Sequence, residues 1–153
     1  MHITRLLPLA AVCALALWPG TGQAAGRTQT LRIFDKTVSV KLTHADGTVV
    51  THPPFGQPQP GDVLDADSLD FVGNHAHHAK RWTMSSHTRC TFAAGAPEPA
   101  CVSHVANGGS LLVFTDNEVT DGTGIYQGAT GRVVSMKEGP NDTSDIVARI
   151  HLR

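Results

Sequence analysis

The sequence has no apolar run long enough to cross a membrane, no excess of either charge and no helical pattern. The apolar stretch from Leu6 to Trp18 covers 13 residues, whereas a membrane-spanning helix needs roughly 20. There are 12 Lys and Arg against 13 Asp and Glu, a formal net charge of -1. Because the cations are scattered along the chain, nucleic acid is not an expected partner. We therefore expect neither a membrane span nor a nucleic-acid-binding protein.

The segment from Met1 to Ala24 has the pattern of a secretory signal peptide. Arg5 precedes the apolar stretch, and the small residues Gly22 and Ala24 follow it. Cleavage after Ala24 leaves the chain from position 25 to position 153, a length that suits a single domain with one core. We expect a secreted or periplasmic protein.

Two of the three cysteines, Cys90 and Cys101, would remain after this processing. An even pair in an oxidising compartment most simply forms a disulfide. The segment between them is rich in glycine and proline, which favours a turn that brings two strands side by side. The alternative is a reactive thiol at Cys90, which requires the pair to be reduced. The disulfide is the prediction.

Apolar and polar residues alternate along much of the chain, which indicates strands. Leu31 and Ile33 alternate with polar neighbours, and the alternation resumes from Val38 to Leu42, so two strands are predicted there. Further strands are predicted at residues 63–72, 81–92, 101–106, 110–116, 132–136 and 144–152. About eight short strands without a helix indicate an all-β sandwich or a closed barrel.

The strand at residues 110–116 is apolar on both faces, because Leu111, Leu112, Val113 and Phe114 are consecutive. A barrel wall buries only one face of a strand, so a second subunit is the natural cover for the other. The sequence therefore predicts a homo-oligomer with Leu112 or Phe114 in the contact.

Residues 121–134, DGTGIYQGATGRVV, gather four glycines around Tyr126. Their spacing does not fit the G-x-G-x-x-G loop that holds a dinucleotide, and the segment leads into a strand instead of a helix. Other short motifs accompany it: PQPGD at 58–62, DSL at 67–69, RC at 89–90, a second cysteine at 101, Gly108-Gly109 and a closing ARIHL.

In this order the motifs resemble the allene oxide cyclase and dirigent-like β-barrel superfamily over about residues 36 to 153. The resemblance implies an eight-stranded antiparallel barrel with an apolar cavity, often a trimer. Some members isomerise or cyclise an apolar substrate, and dirigent members steer the coupling of radicals. The glycine block would then be a tight, partly φ > 0 link between two strands, with Tyr126 packed beside it. Its glycines are Gly122, Gly124, Gly128 and Gly131.

Two cavity positions of the family have counterparts in this chain. Asp67 stands where the cyclases carry an Asn-type side chain, and Cys90 matches a cavity cysteine. No residue of the first strand matches the acidic residue of the cyclases, although Asp35 lies nearby. Asp67 is therefore the candidate catalytic residue. The expected cavity and ligand-binding side chains are Leu69, Trp82 and Met84.

The predicted function is the binding of a small apolar molecule in the cavity, with isomerase or cyclase activity that needs no cofactor. The sequence leaves open whether the barrel is an enzyme. One alternative is a non-catalytic secreted ligand carrier or interaction module. Another is a periplasmic metal binder that uses His75, His77 and His78. A metal site is not the main expectation, because that segment lacks the cysteines or carboxylates that structural metal sites usually recruit.

Overall fold

The computed structural model describes residues 26–51 and 56–153, and the predicted signal peptide at 1–24 lies outside them. A one-turn 3₁₀ helix, Gly124–Tyr126, stands between β7 and β8. The strands are β1 (Arg27–Thr43), β2 (Val49–Val50), β3 (Val63–Val72), β4 (Met84–Thr91), β5 (Ala100–Asn107), β6 (Ser110–Thr115), β7 (Glu118–Gly122), β8 (Thr130–Gly139) and β9 (Thr143–Leu152).

All nine strands belong to one antiparallel sheet that closes on itself. The ladder runs from β1 through β3 and then in chain order to β9, and β9 pairs with β1. The two-residue β2 extends the far end of β1 and stands outside the ring. The protein is therefore a closed eight-stranded antiparallel barrel, as predicted. Within the described ranges, no helix is long and apolar enough to cross a membrane.

Strand β1, with 17 residues, closes the barrel because it pairs with both β3 and β9. It pairs with β9 from Arg27 to Lys36 and with β3 from Ile33 to Thr43. A bulge at Val38 interrupts the register with β3 and changes which alternate side chains point inward. The sequence predicted two strands here. They are one strand, because the bulge changes the pattern without ending the ladder.

Strand β7 was not predicted from the sequence. Its five residues, EVTDG, include few side chains with a strong strand preference, so they give no clear alternation. It shares a single ladder pair with β8, between Glu118 and Arg132. The wall of the barrel is therefore least continuous between these two strands.

The core consists of side chains that point into the barrel. Leu112 and Phe114 belong to it, with 1% and 7% of their surface exposed, so the predicted subunit contact through them is wrong. Successive residues of a strand face opposite sides, and the outer face of β6 carries Leu111 and Val113 instead. The buried core cluster is Ile33, Met84, Val105, Leu112, Phe114, Tyr126, Ala129, Ala148 and Ile150.

The glycine block connects β7 to β8. A Cβ on Gly122 would collide with the carbonyl oxygen of Tyr126, and Gly124 has a φ of 60°, a value that favours glycine. This tight backbone lets Tyr126 turn into the core, where Asn107 Nδ2 donates a hydrogen bond to its hydroxyl at 2.9 Å. The positive φ recurs at Gly128 and Gly131.

Cys90 and Cys101 form the predicted disulfide. They are direct partners in the ladder between β4 and β5, with an S–S distance of 2.06 Å and a Cα–Cα distance of 4.1 Å. The bond therefore joins two strands that the turn between them already brings together.

We predict that replacing both cysteines, Cys90→Ala with Cys101→Ala, lowers the free energy of unfolding by roughly 3 kcal/mol, because the unfolded chain gains the freedom of an open loop. Urea unfolding without reductant measures this difference. Wild-type protein kept in reductant is the control and should lose a similar amount. Equal stability of the oxidised and cysteine-free proteins would contradict the prediction.

Candidate functional site

Two carboxyl groups face each other inside the barrel. Asp35 on β1 and Asp70 on β3 are direct partners in the ladder, and 8% and 2% of their surface is exposed. Asp70 is in turn the ladder partner of the core residue Met84. Because ladder partners share a face of the sheet, both acids point inward. We call Asp35 and Asp70 the carboxyl pair.

The environment of Asp70 favours its protonated form. Burial is the main cause, the neighbouring Asp35 adds to it through a hydrogen bond and its negative charge, and the Ser86 hydroxyl acts in the opposite direction. Together they raise the pKa of Asp70 from 3.8 to about 7. A carboxyl group with a pKa near neutrality can both donate and accept a proton under physiological conditions.

Asp70 also differs from another fully buried acid of the barrel, Asp62. Asp62 accepts hydrogen bonds from the backbone N–H groups of Gln59 at 2.8 Å and Ala45 at 3.1 Å, and it contacts His44 Nδ1 at 3.0 Å. The Gln59 hydrogen bond is the main reason that the pKa of Asp62 is lowered. By contrast, Asp70 Oδ2 is buried without a hydrogen-bond partner in the described part of the chain. A buried polar atom without a partner is costly in free energy, and a catalytic role, a water or an ion are explanations for it. Asp65 Oδ1, on the outer wall, is in the same state.

A row of small polar side chains continues from the carboxyl pair along the inner faces of β3, β4 and β5. Ser68 and Ser86 are ladder partners next to Asp70, and the Ser68 hydroxyl donates to Thr37 Oγ1 at 3.4 Å. Farther along, the hydroxyls of Thr88 and Ser103 are hydrogen-bonded at 2.8 Å. One side of the interior is therefore polar, while the core cluster makes the other side apolar.

Asp67 lies on the outer face of the barrel, not in the interior where the sequence analysis placed it. Its side chain is 56% exposed and contacts His87 Nδ1 at 2.8 Å. It lines an outer pocket together with Lys41, Asp65 and Arg89. Asp65 is the centre of the charges there, with Lys41 Nζ at 3.4 Å and Arg89 at 3.5 Å.

The other expected cavity residues are divided between the two faces. Leu69 has the same parity as Asp67 and so belongs to the outer face of β3. Trp82 precedes β4 and is 54% exposed. Met84 is buried in the core. Cys90 is buried as well, but it is held in the disulfide.

The wrong face was assigned to β3 because its inner face is the more polar one. Asp67 and Asp70 are three residues apart, so they must point to opposite sides of a strand. Asp67 was selected because it matches a cavity position of the family that the motifs resemble, and the apolar Leu69, which has the same parity, agreed with that choice. Asp70 was therefore missed. Asp70 is two residues from Ser68, so the two side chains share a face of β3. Knowing that Ser68 faces inward would therefore have identified Asp70.

In the histidine segment, residues 75–78, His75 and His78 contact side chains of the barrel wall. The backbone N–H of His75 donates to Asp145 Oδ1 at 2.7 Å, and its Nδ1 lies 2.6 Å from Asp145 Oδ2. This side-chain contact is the main cause of the lowered pKa of Asp145. His78 stacks on Phe34, with ring centroids 4.5 Å apart. Among the residues that the structure describes, no group of three or more His, Cys, Asp or Glu could hold a metal ion.

We predict that ionisation of Asp70 makes the protein less stable as the pH rises. Between pH 3.8 and about 7 the folded protein binds more protons than the unfolded chain, so the free energy of unfolding falls across this window. From pH 5 to pH 8 the loss should be on the order of 2 kcal/mol, since one unit of pKa corresponds to about 1.4 kcal/mol.

Urea unfolding at several pH values measures the effect. Asp70→Asn should abolish this fall, while Asp67→Asn, on the outer face, should retain it. An unchanged pH dependence in Asp70→Asn would show that another group titrates.

Comparison with known proteins supports the same architecture. No protein-family model and no curated protein matches the sequence. A solved structure of pyocyanin demethylase is similar, with a TM-score of 0.56 and 16% identity, over 82% of this chain and 100% of that chain. The pterocarpan synthase dirigent protein GePTS1 is similar with a TM-score of 0.53 and 15% identity, over 83% of this chain and 89% of that chain. The chain therefore has the same barrel fold as these two proteins, one of which is a dirigent protein.

Proposed function

We propose that the barrel binds a small, largely apolar molecule in its interior, and that the carboxyl pair transfers a proton while this molecule is isomerised or cyclised. The observation that carries the proposal is Asp70, a buried acid with a pKa of about 7 and a side-chain oxygen without a hydrogen-bond partner in the described residues. A ligand with one polar atom would supply the missing partner.

The chemistry requires no cofactor. Neutral Asp70 donates a proton to one atom of the ligand, and the resulting carboxylate accepts a proton from another atom, so the ligand changes its bonding without a net change in composition. The negative charge of Asp35 makes the carboxylate of Asp70 costly, which favours the return of the proton. The apolar side of the interior would hold the ligand in one conformation.

The two similar structures support a small organic molecule as the ligand class. One is named for the demethylation of pyocyanin and the other for the synthesis of a pterocarpan. In both names the molecule acted on or formed is small, and both proteins share this barrel. We extend that ligand class, but neither reaction, to this chain.

We also propose that the protein is exported and forms a homo-oligomer. The disulfide between Cys90 and Cys101 supports an oxidising compartment. For the oligomer, Leu111 and Val113 replace Leu112 and Phe114 as candidate contacts, because they are the outward apolar residues of β6. Sedimentation at micromolar concentration should give more than one copy, and Leu111→Lys should return the protein to a monomer. A wild-type monomer would contradict the oligomer.

We predict that an apolar probe binds most tightly below pH 7. Pyocyanin and a pterocarpan serve as probes, followed by quenching of tryptophan fluorescence from pH 6 to pH 8. Affinity should fall about tenfold over this range, because a bound apolar molecule excludes the water that stabilises ionised Asp70. Asp70→Asn should bind with no such dependence, and any proton exchange or isomerisation of the probe should fall at least about 100-fold.

Asp67→Asn is the matched control and should behave like the wild type. Loss of the pH dependence in Asp67→Asn, but not in Asp70→Asn, would move the functional carboxyl group to the outer face. Binding that follows Asp70 without any turnover would identify a ligand carrier.

A further inference from the structure

The fold separates the charges of the chain, although they are scattered in the sequence. In an antiparallel barrel, successive connections lie at alternate ends. One end is formed by the start of β1, the β3–β4 connection, the β5–β6 turn, the β7–β8 link and the residue after β9. We call this the basic end. The remaining connections form the acidic end.

The connections at the basic end contain no Asp or Glu, although the exposed Asp121 stands next to last in β7 at this end. They carry Lys80 and Arg81 before β4, and Arg27 and Arg153 stand at the first and last strands of the ring. The connections at the acidic end contain no Lys or Arg, and their acidic residues are Asp46, Asp62, Glu98, Asp116 and Asp142. The β3–β4 connection contacts one acid of the barrel wall, Asp145. His75 of this connection lies 2.6 Å from the Asp145 carboxylate.

Large apolar side chains are exposed at the same end. Trp82 and Val72 are each 54% exposed, and Ile125 in the 3₁₀ helix is 64% exposed. The backbone around them is anchored. Thr83 N–H donates to the carbonyl of Asp70 at 3.2 Å, and Ile125 N–H donates to Ser110 Oγ at 3.1 Å. The end therefore presents apolar tips on a fixed frame.

We propose that the basic end docks on the surface of an anionic lipid bilayer. Trp82, Ile125 and Val72 would enter the interfacial layer, where tryptophan is favoured. Lys80 and Arg81, together with Arg27 and Arg153, would contact the phosphate groups, because an anionic surface attracts nearby cations electrostatically.

A bilayer fits this end better than a protein partner does. The tips come from three separate segments at this end of the barrel, so no single groove holds them, and a bilayer surface can receive each tip separately. A groove-shaped protein partner would require a contiguous apolar patch. The docking does not rest on the proposed function, because it uses no residue of the carboxyl pair.

The test measures co-sedimentation with vesicles of phosphatidylcholine that contain phosphatidylglycerol as the minor lipid, and with vesicles of pure phosphatidylcholine. Binding is expected only to the anionic vesicles and should weaken more than tenfold when salt rises from about 0.05 to 0.5 M. Lys80→Glu with Arg81→Glu should weaken it at least tenfold. Lys36→Glu with Lys41→Glu makes the same change of charge on cations of the outer wall of β1, away from this end, and should weaken it less than threefold.

The apolar contribution is measured separately. Among residues 25–153 Trp82 is the one tryptophan, and its emission should shift to shorter wavelength on anionic vesicles. Ile125→Ser should weaken binding at least threefold, with circular dichroism showing the fold retained in each variant.

Three outcomes would overturn the proposal: equal binding to the neutral vesicles, equal losses in the two charge-reversed proteins, or competition by soluble heparin fragments with no shift of the Trp82 emission. The last would indicate a soluble polyanion as the partner.

Discussion

Pairing of β1 with both β3 and β9 is the constraint on which the rest of the structure depends. It closes the ring, and the bulge at Val38 interrupts the register of β1 with β3. Before the bulge the odd residues Ile33 and Asp35 are buried, and after it the even residue Leu42 is buried. A regular strand could not place Asp35 and Leu42 on the same side. The bulge therefore allows an acid opposite Asp70 in a strand that still completes the core.

Much of the fold could be predicted because the pattern and the packing agree. Strands β3 and β9 were expected at residues 63–72 and 144–152, which match their observed bounds to within one residue. The disulfide could be predicted because the chain was expected to be exported with two cysteines, and because the segment between them favours a turn. Strand β7 was missed because its five residues, EVTDG, include only two with a strong preference for strands. These residues form a strand because they pair with neighbouring strands, and the local sequence pattern does not reveal that pairing.

The candidate site was harder to predict because hydrophobicity does not mark the inner face of this barrel. On β3 the inward residues are Ser68 and Asp70, while Leu69 points outward. On β6 both faces are apolar, so Leu112 and Phe114 could not be told from Leu111 and Val113. In each strand, the face to which one side chain points determines the face to which all the others point. That direction comes from ring closure and is absent from the local sequence.

The separation of charge between the two ends gives the barrel an electric dipole moment along its axis. Such a dipole experiences a torque in a field even when the net charge is close to zero. At physiological salt the field of a charged surface decays over about 8 Å, so rotation would begin only when the molecule is within a few water layers. The orientation of the barrel would then be selected in the last step of an encounter, before any side chain makes contact.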